Sequence, residues 1–103
     1  LKLAEKWVSD ITYDRINDDW NYLTTIIDLA DREVVGWSLS EDMTTQNTVI
    51  KVWIDARKRR NISNKLIFHS DRGVQYASNK MTKICNFNLK ITQSMSRKDL
   101  RLK

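Results

Sequence analysis

Hydrophobic and polar residues alternate with a period of two from Lys6 to Tyr13, with Trp7, Ser9, Ile11 and Tyr13 on one side and Val8, Asp10 and Thr12 on the other. The pattern predicts a strand with a carboxylate, Asp10, in its interior. Asp14 to Asp19 is polar and predicts a turn. Trp20 to Leu29 is rich in aromatic and β-branched residues and predicts a second strand; Asp28 to Arg32 reads as the next turn, and Glu33 to Leu39 as a third strand. From Thr44 the period lengthens. Val49, Val52, Trp53 and Ala56 fall at helical spacing, Thr44 can cap, and Arg57, Lys58, Arg59 and Arg60 stand where a helix dipole favours cations, so a helix is expected from Thr45 to about Arg60. Leu66 to His69 is a short apolar run that suits a buried strand reached by a helical crossover, parallel to an earlier one, with Asp71 at its carboxyl end. Met81, Ile84, Cys85 and Phe87 predict a second helix within Ala77 to Phe87, and Lys90 to Gln93 a last strand. The order β-β-β-α-β-α-β predicts an α/β fold on a mixed sheet, whose ligand sites gather at the carboxyl ends of parallel strands. A right-handed return through the first helix can set the fourth strand beside the first, so that Asp10 and Asp71 face one crevice.

Composition narrows the class. With 103 residues there is room for one core, and 41% hydrophobic with 30% charged residues excludes a disordered tail. No stretch approaches the ~18 apolar residues of a membrane span. Cys85 is the single cysteine and cannot close an internal disulfide, and no charged-then-apolar leader precedes Trp7, so a reducing cytoplasm is the expected compartment. The first residue is Leu1 and a strand pattern starts almost at once, from which we expect the chain to begin inside a longer product.

The net charge of +5 conceals an asymmetry: up to Asp55 there are 5 Lys/Arg against 11 Asp/Glu, and from Ala56 onward 13 against 2. A basic surface attracts phosphate backbones, whereas an acidic one is repelled by them unless its carboxylates hold cations. The combination suggests metal-assisted work on nucleic acid; unevenly charged solvated faces are the alternative.

An ionised carboxylate inside a strand is costly unless it is paired, hydrogen-bonded or bound to metal. Asp10 and Asp71, brought into one crevice, could share one or two Mg²⁺ ions, which favour carboxylate and water oxygens and clamp transferring phosphates. Alternatively Asp10 caps a turn and Asp71 opens a loop. His69 reads as a packing or hydrogen-bonding residue with metal or phosphate contact as the other option. Gly73 suits a turn at positive φ, Trp7, Trp20, Trp37 and Trp53 are expected to fill or cover the core, and Cys85 to be buried.

Trp7-Val8-Ser9-Asp10-Ile11-Thr12-Tyr13 and His69-Ser70-Asp71-Arg72-Gly73-Val74-Gln75-Tyr76 resemble two motifs of bacterial insertion-sequence transposases, of the retroviral-integrase-like group with an Asp-Asp-Glu core. Ile91-Thr92-Gln93-Ser94-Met95-Ser96-Arg97-Lys98 resembles a third stretch. The resemblance implies a ribonuclease H-like fold lacking its C-terminal helices, a partial catalytic core over residues 1–98 and a divergent truncated tail over 99–103. It implies that Asp10 and Asp71 are catalytic and hold Mg²⁺ or Mn²⁺ for cleavage and strand transfer; Arg72, Gln75, Tyr76, Arg97 and Lys98 are the candidate DNA contacts, with tight-turn geometry the alternative for the loop through Gly73. The partners implied are element ends, target DNA and other transposase subunits in a bacterial cytoplasm, with no membrane. The family's third carboxylate, a glutamate on a following helix, has no counterpart, since no glutamate follows Glu41. The rival readings are a catalytically inactive DNA-binding or subunit-interacting remnant that interferes with transposition, and an unrelated metal-dependent ribonuclease.

Overall fold

The computed structural model describes residues 2–62, 65–87 and 90–96. The elements are β1 (Lys6–Ile16), β2 (Asp19–Asp28), β3 (Val34–Ser40), α1 (Lys51–Arg59), β4 (Leu66–Ser70), α2 (Val74–Ala77), α3 (Asn79–Phe87) and β5 (Ile91–Met95). They build one five-stranded sheet in the order β3-β2-β1-β4-β5. β1 and β2 pair antiparallel, as do β2 and β3, while β4 lies parallel to both β1 and β5. The return through α1 therefore sets the fourth strand beside the first, as the sequence order predicts.

Several boundaries differ, each for a local reason. β1 and β2 run on through the polar stretch expected to be a turn, and the chain reverses only at Asn17 and Asp18, whose φ values are 52° and 67°. A two-residue hairpin with both central residues left-handed matches strand twist, and Asn and Asp tolerate that conformation. A wide π-type turn over Gln46–Ile50 leads into α1. Its start is fastened as expected at Thr44, whose Oγ1 accepts the Asn47 backbone N–H at 3.2 Å. Asp42 adds a second fastening by accepting the Thr44 hydroxyl at 2.7 Å, which holds its carboxyl below the ordinary range. The second predicted helix is α3; a short helix, α2, stands before it in the stretch read as a loop, divided from it at Ser78, an extended residue whose Oγ accepts the Met81 N–H.

One face of the sheet carries the core. Trp7, Ile26, Val35, Leu66, Phe68 and Ile91 point inward against Val49, Val52, Trp53 and Ala56 of the first helical segment and Met81 and Cys85 of α3. Trp53 meets Trp7 and Phe68 edge-on at 5.7 and 5.2 Å, the arrangement the ring quadrupole favours. α1 lies directly against β3 at Gly36, where a Cβ would stand 2.7 Å from the Val52 carbonyl oxygen, so only glycine allows this approach. Trp7 and Trp53 are core residues as expected; Trp20 and Trp37 are not, being 47% and 60% exposed. Trp20 stands near the hairpin tip against Tyr13 and under the Arg15 guanidinium, beyond the reach of the helices. Trp37 pairs with Thr25, which pairs with Asp10, so all three belong to the other, open face of the sheet.

Beneath the core's amino-terminal end sits a carboxylate. Asp28 is fully buried at the end of β2, and its oxygens accept the Ala4 N–H at 2.8 Å, the Trp7 indole N–H at 3.2 Å, the Ala30 N–H at 3.0 Å and the Arg60 guanidinium at 3.0 Å. Arg60 also reaches Asp31 at 2.8 Å, which lowers the Asp31 carboxyl and raises the guanidinium. Removing one partner of a buried, fully bonded charge leaves the others unsatisfied, at about 3–5 kcal/mol. Asp28→Ala is expected to lower unfolding free energy by about that much in urea titration. Asp31→Ala, which removes an exposed partner of the same arginine, should lower stability far less in the same titration.

Candidate active site

The parallel register of β1 and β4 places the candidate carboxylates. Trp7 pairs with Phe68 and Val8 with His69; two residues further along each strand stand Asp10 and Asp71. Asp71 stands just past the carboxyl end of β4, whereas Asp10 lies within β1, which runs on to Ile16; both lie just beyond the last pair of the parallel ladder, near where α/β sheets gather ligands. Asp10 alternates with the buried Trp7 and Ser9, so it projects from the open face and is exposed. Asp71 is half-buried, and its Oδ1 accepts the Gly73 N–H at 2.8 Å, which fixes the carboxylate against its own loop.

That contact corrects the expectation for Gly73. Its φ is −61°, an ordinary value, so no left-handed turn is present. Glycine matters there for space: a Cβ would stand 3.0 Å from Asp71 Oδ1. α2 then starts with the Tyr76 and Ala77 N–H groups donating to the Gly73 carbonyl.

Among the expected DNA contacts, Arg72 is exposed beside Asp71, and Gln75 is half-buried with its amide donating to the Met43 carbonyl at 3.1 Å. Tyr76 is corrected. Its ring is 1% exposed, packed 6.3 Å from Phe68, and its hydroxyl meets Ser9 Oγ at 2.9 Å, so it faces the core and not a ligand. Burial pushes the Tyr76 phenol well above its ordinary range, and the Asp10 and Asp71 charges push it the same way. Arg97 and Lys98 lie outside the described residues.

His69 takes the hydrogen-bonding role: Nδ1 meets Ser94 Oγ at 2.9 Å and Nε2 meets Ser96 Oγ at 3.0 Å, tying β4 to β5 beside the carboxylates. Sequence reasoning missed these two serines and Ser9. The inward position of Ser9 follows from its alternation with Trp7, but nothing local signals a partner 67 positions away. Arg57, Lys58 and Arg59 are exposed at the end of α1, whereas Arg60 serves the fold.

Oxygen donors of this kind suit Mg²⁺ or Mn²⁺, which one or two carboxylates hold while water and substrate phosphate complete the shell. Asp10 and Asp71, each two residues past the last β1–β4 pair, are oxygen donors of that kind. Among the described residues no group of three or more His, Cys, Asp or Glu side chains is placed to hold an ion.

A five-stranded mixed sheet in the order β3-β2-β1-β4-β5, with helices packed on one face, defines the ribonuclease H-like fold class. Comparison with known proteins bears on the same point. The integrase core domain model matches residues 2–99. The transposase InsF for insertion sequence IS3A of Escherichia coli (strain K12) is 43% identical over 74 residues, 72% of this chain and 25% of that protein. The HTLV-2 integrase catalytic core domain, solved in complex with magnesium in a trimeric form, superposes with a TM-score of 0.75 at 18% identity, covering 90% of this chain and 60% of that one. The catalytic domain of the Mos1 mariner transposase superposes with a TM-score of 0.68 at 13% identity, covering 90% and 50%. The chain belongs to the integrase core domain family. It spans about a quarter of the length of the curated transposase it matches.

Cys85 is buried as expected, and desolvation pushes its thiol from 9.0 up to about 11. A raised folded value means the stability tied to this group is complete below the unfolded value and is lost as pH climbs towards the folded one. Urea midpoints are therefore expected to fall between about pH 9 and 11, and the fall should be smaller in Cys85→Ala.

Proposed function

We propose that this chain is the two-aspartate part of the catalytic core of a bacterial DNA transposase, with residues 1–98 as a partial core acting on element ends and target DNA in the cytoplasm. The observation that supports the reading is that Asp10 and Asp71 each stand two residues past the last pair of the parallel β1–β4 ladder, with Asp10 on the open face of the sheet. The transposase relatives support it, as does the magnesium with which the HTLV-2 integrase core was solved. Among the described residues no helix is long and apolar enough to cross a membrane.

Asp10 and Asp71 would hold Mg²⁺ or Mn²⁺ between them, Asp71 kept in orientation by the Gly73 N–H. When bound, the ion supplies positive charge to the phosphodiester oxygens and a water or 3′ hydroxyl made more nucleophilic. Arg72, exposed next to Asp71, can bind a neighbouring phosphate and so orient the backbone. Gln75 holds the same loop against Met43 ahead of the first helix, which limits how far Arg72 can move. Other transposase subunits are the partners expected to complete the assembly.

A specific observation favours the second reading, a catalytically inactive remnant that binds DNA or other subunits. Among the described residues no third His, Cys, Asp or Glu side chain joins the pair. Two carboxylates leave a second ion under-coordinated and the charge of the phosphoryl transition state incompletely stabilised.

The two readings share one test and part at another. Mn²⁺ binding by the purified chain should weaken by about a hundredfold in Asp10→Asn and Asp71→Asn, each of which removes a direct ligand. Binding unchanged in both variants would remove the metal from the proposal. Incubation with Mg²⁺ or Mn²⁺ and element-end DNA then separates them, because metal-dependent nicking belongs to the first reading and binding without nicking to the second. We expect no joining by this chain alone.

The basic second half provides phosphate contacts without an evident recognition helix. DNA affinity should therefore fall steeply between about 50 and 200 mM salt and differ little between unrelated duplexes, as read by fluorescence anisotropy.

A further inference from the structure

Directly behind the carboxylate pair, on the core side of the sheet, two hydroxyls meet. Ser9 Oγ donates to the Thr25 carbonyl at 2.8 Å, which commits the only proton that hydroxyl has. The 2.9 Å contact between Ser9 Oγ and the Tyr76 hydroxyl must then be donated by tyrosine. The chain of bonds thus runs from Tyr76 on α2, through Ser9 on β1, to the backbone of β2. Both residues are buried, Ser9 at 4% and Tyr76 at 1% exposure.

Their positions in the sequence give this chain of bonds its meaning. Ser9 immediately precedes Asp10. Tyr76 closes the loop that begins at Asp71, and that loop is tightly braced: Gly73 N–H holds Asp71 Oδ1, the Tyr76 N–H holds the Gly73 carbonyl, and the Gln93 amide holds the Tyr76 carbonyl at 2.7 Å. The regular β1–β4 ladder ends at Val8 and His69, before either aspartate. Beyond it the Ser9–Tyr76 bond links the two segments that carry the carboxylates. We propose that Ser9 and Tyr76 are a positioning pair that sets the separation of Asp10 and Asp71. The proposal deepens the metal-site reading above and rests on it.

A phenylalanine at position 76 would fill the same space and pack on Phe68 equally well, so packing alone does not call for the hydroxyl. The hydroxyl matters only as a link. Tyr76→Phe and Ser9→Ala should each weaken Mn²⁺ binding by the full chain by about tenfold, the effect typical of outer partners that orient ligands. The double variant should bind no more weakly than either single one, because both break one link. Mn²⁺ affinity equal to the wild type in both variants, with only the melting temperature lowered, would make the pair a packing strut and overturn the proposal while leaving the metal site standing.

If the wild-type chain shows no Mn²⁺ binding sensitive to Asp71→Asn, the metal reading fails, and the spacing itself decides the rest. Nitroxide labels at Thr12 and Arg72, both exposed and beside the carboxylates, report it without metal in a Cys85→Ala background. A narrow distance distribution that broadens in Tyr76→Phe supports the positioning role. The same distribution in both proteins excludes it.

Discussion

Asp28 is the constraint on which the arrangement of the other elements depends. A carboxylate removed from water must be given as many donors as its oxygens can take, and here the donors come from four places: the segment before β1, the Trp7 indole in β1, the turn after β2 and the arginine that ends α1. Because Trp7 is one of the donors, the inward face of β1 cannot be changed without unsatisfying the charge, and a register slip of one residue would do just that. Because Arg60 is another, α1 is fixed along its axis against the sheet, and Gly36 permits the close approach this requires.

With β1 and α1 fixed at that end, the aromatic series Trp7, Trp53, Phe68 and Tyr76 carries the order across the core towards the opposite end of the sheet. Rings packed edge to face in a dense interior have few alternative arrangements. The series begins at the donor to Asp28 and finishes at the tyrosine whose hydroxyl lies behind the carboxylate pair. Stability and site geometry thus rest on the same residues. Three residues of extended strand separate Trp7 from Asp10, about 10 Å, so the carboxylate bonded to Trp7 and the one at Asp10 do not compete for partners.

Much of this is legible in the sequence, and what is not has identifiable causes. Alternation exposes β1, the β-branched run exposes β2, and the change of period at Thr44 exposes the crossover, because each depends only on which residues face the core. The hairpin tip escapes because it faces water on both sides, so its strands bear no hydrophobic alternation. Asp28 reads as part of a turn although it continues the inward series Thr24, Ile26; a charge on that series is the available signal. Asp10 and Asp71 are legible as chemistry, while Tyr76 is drawn to the ligand side because its motif lies beside them. Only the fold shows that α2 turns the ring back onto Phe68.

The charge asymmetry of the chain takes a different meaning once the partners are placed. Several acids of the first half are occupied locally: Asp28 and Asp31 with Arg60, Asp42 with the start of the first helix. Each has hydrogen-bond donors that the fold supplies. Asp10 differs in standing exposed on the side of the sheet away from the core, where a cation can reach it. The basic half divides in the same way, since Arg60 is committed to the fold while Arg57, Lys58, Arg59 and Arg72 remain exposed to solvent. A polyanion is drawn to these exposed cations, and the carboxylates that would repel it most strongly are those a divalent ion would neutralise. On the proposed metal reading, occupancy and backbone attraction are therefore coupled by charge alone: an ion between Asp10 and Asp71 would convert a local repulsion into an attraction beside the exposed Arg72 guanidinium.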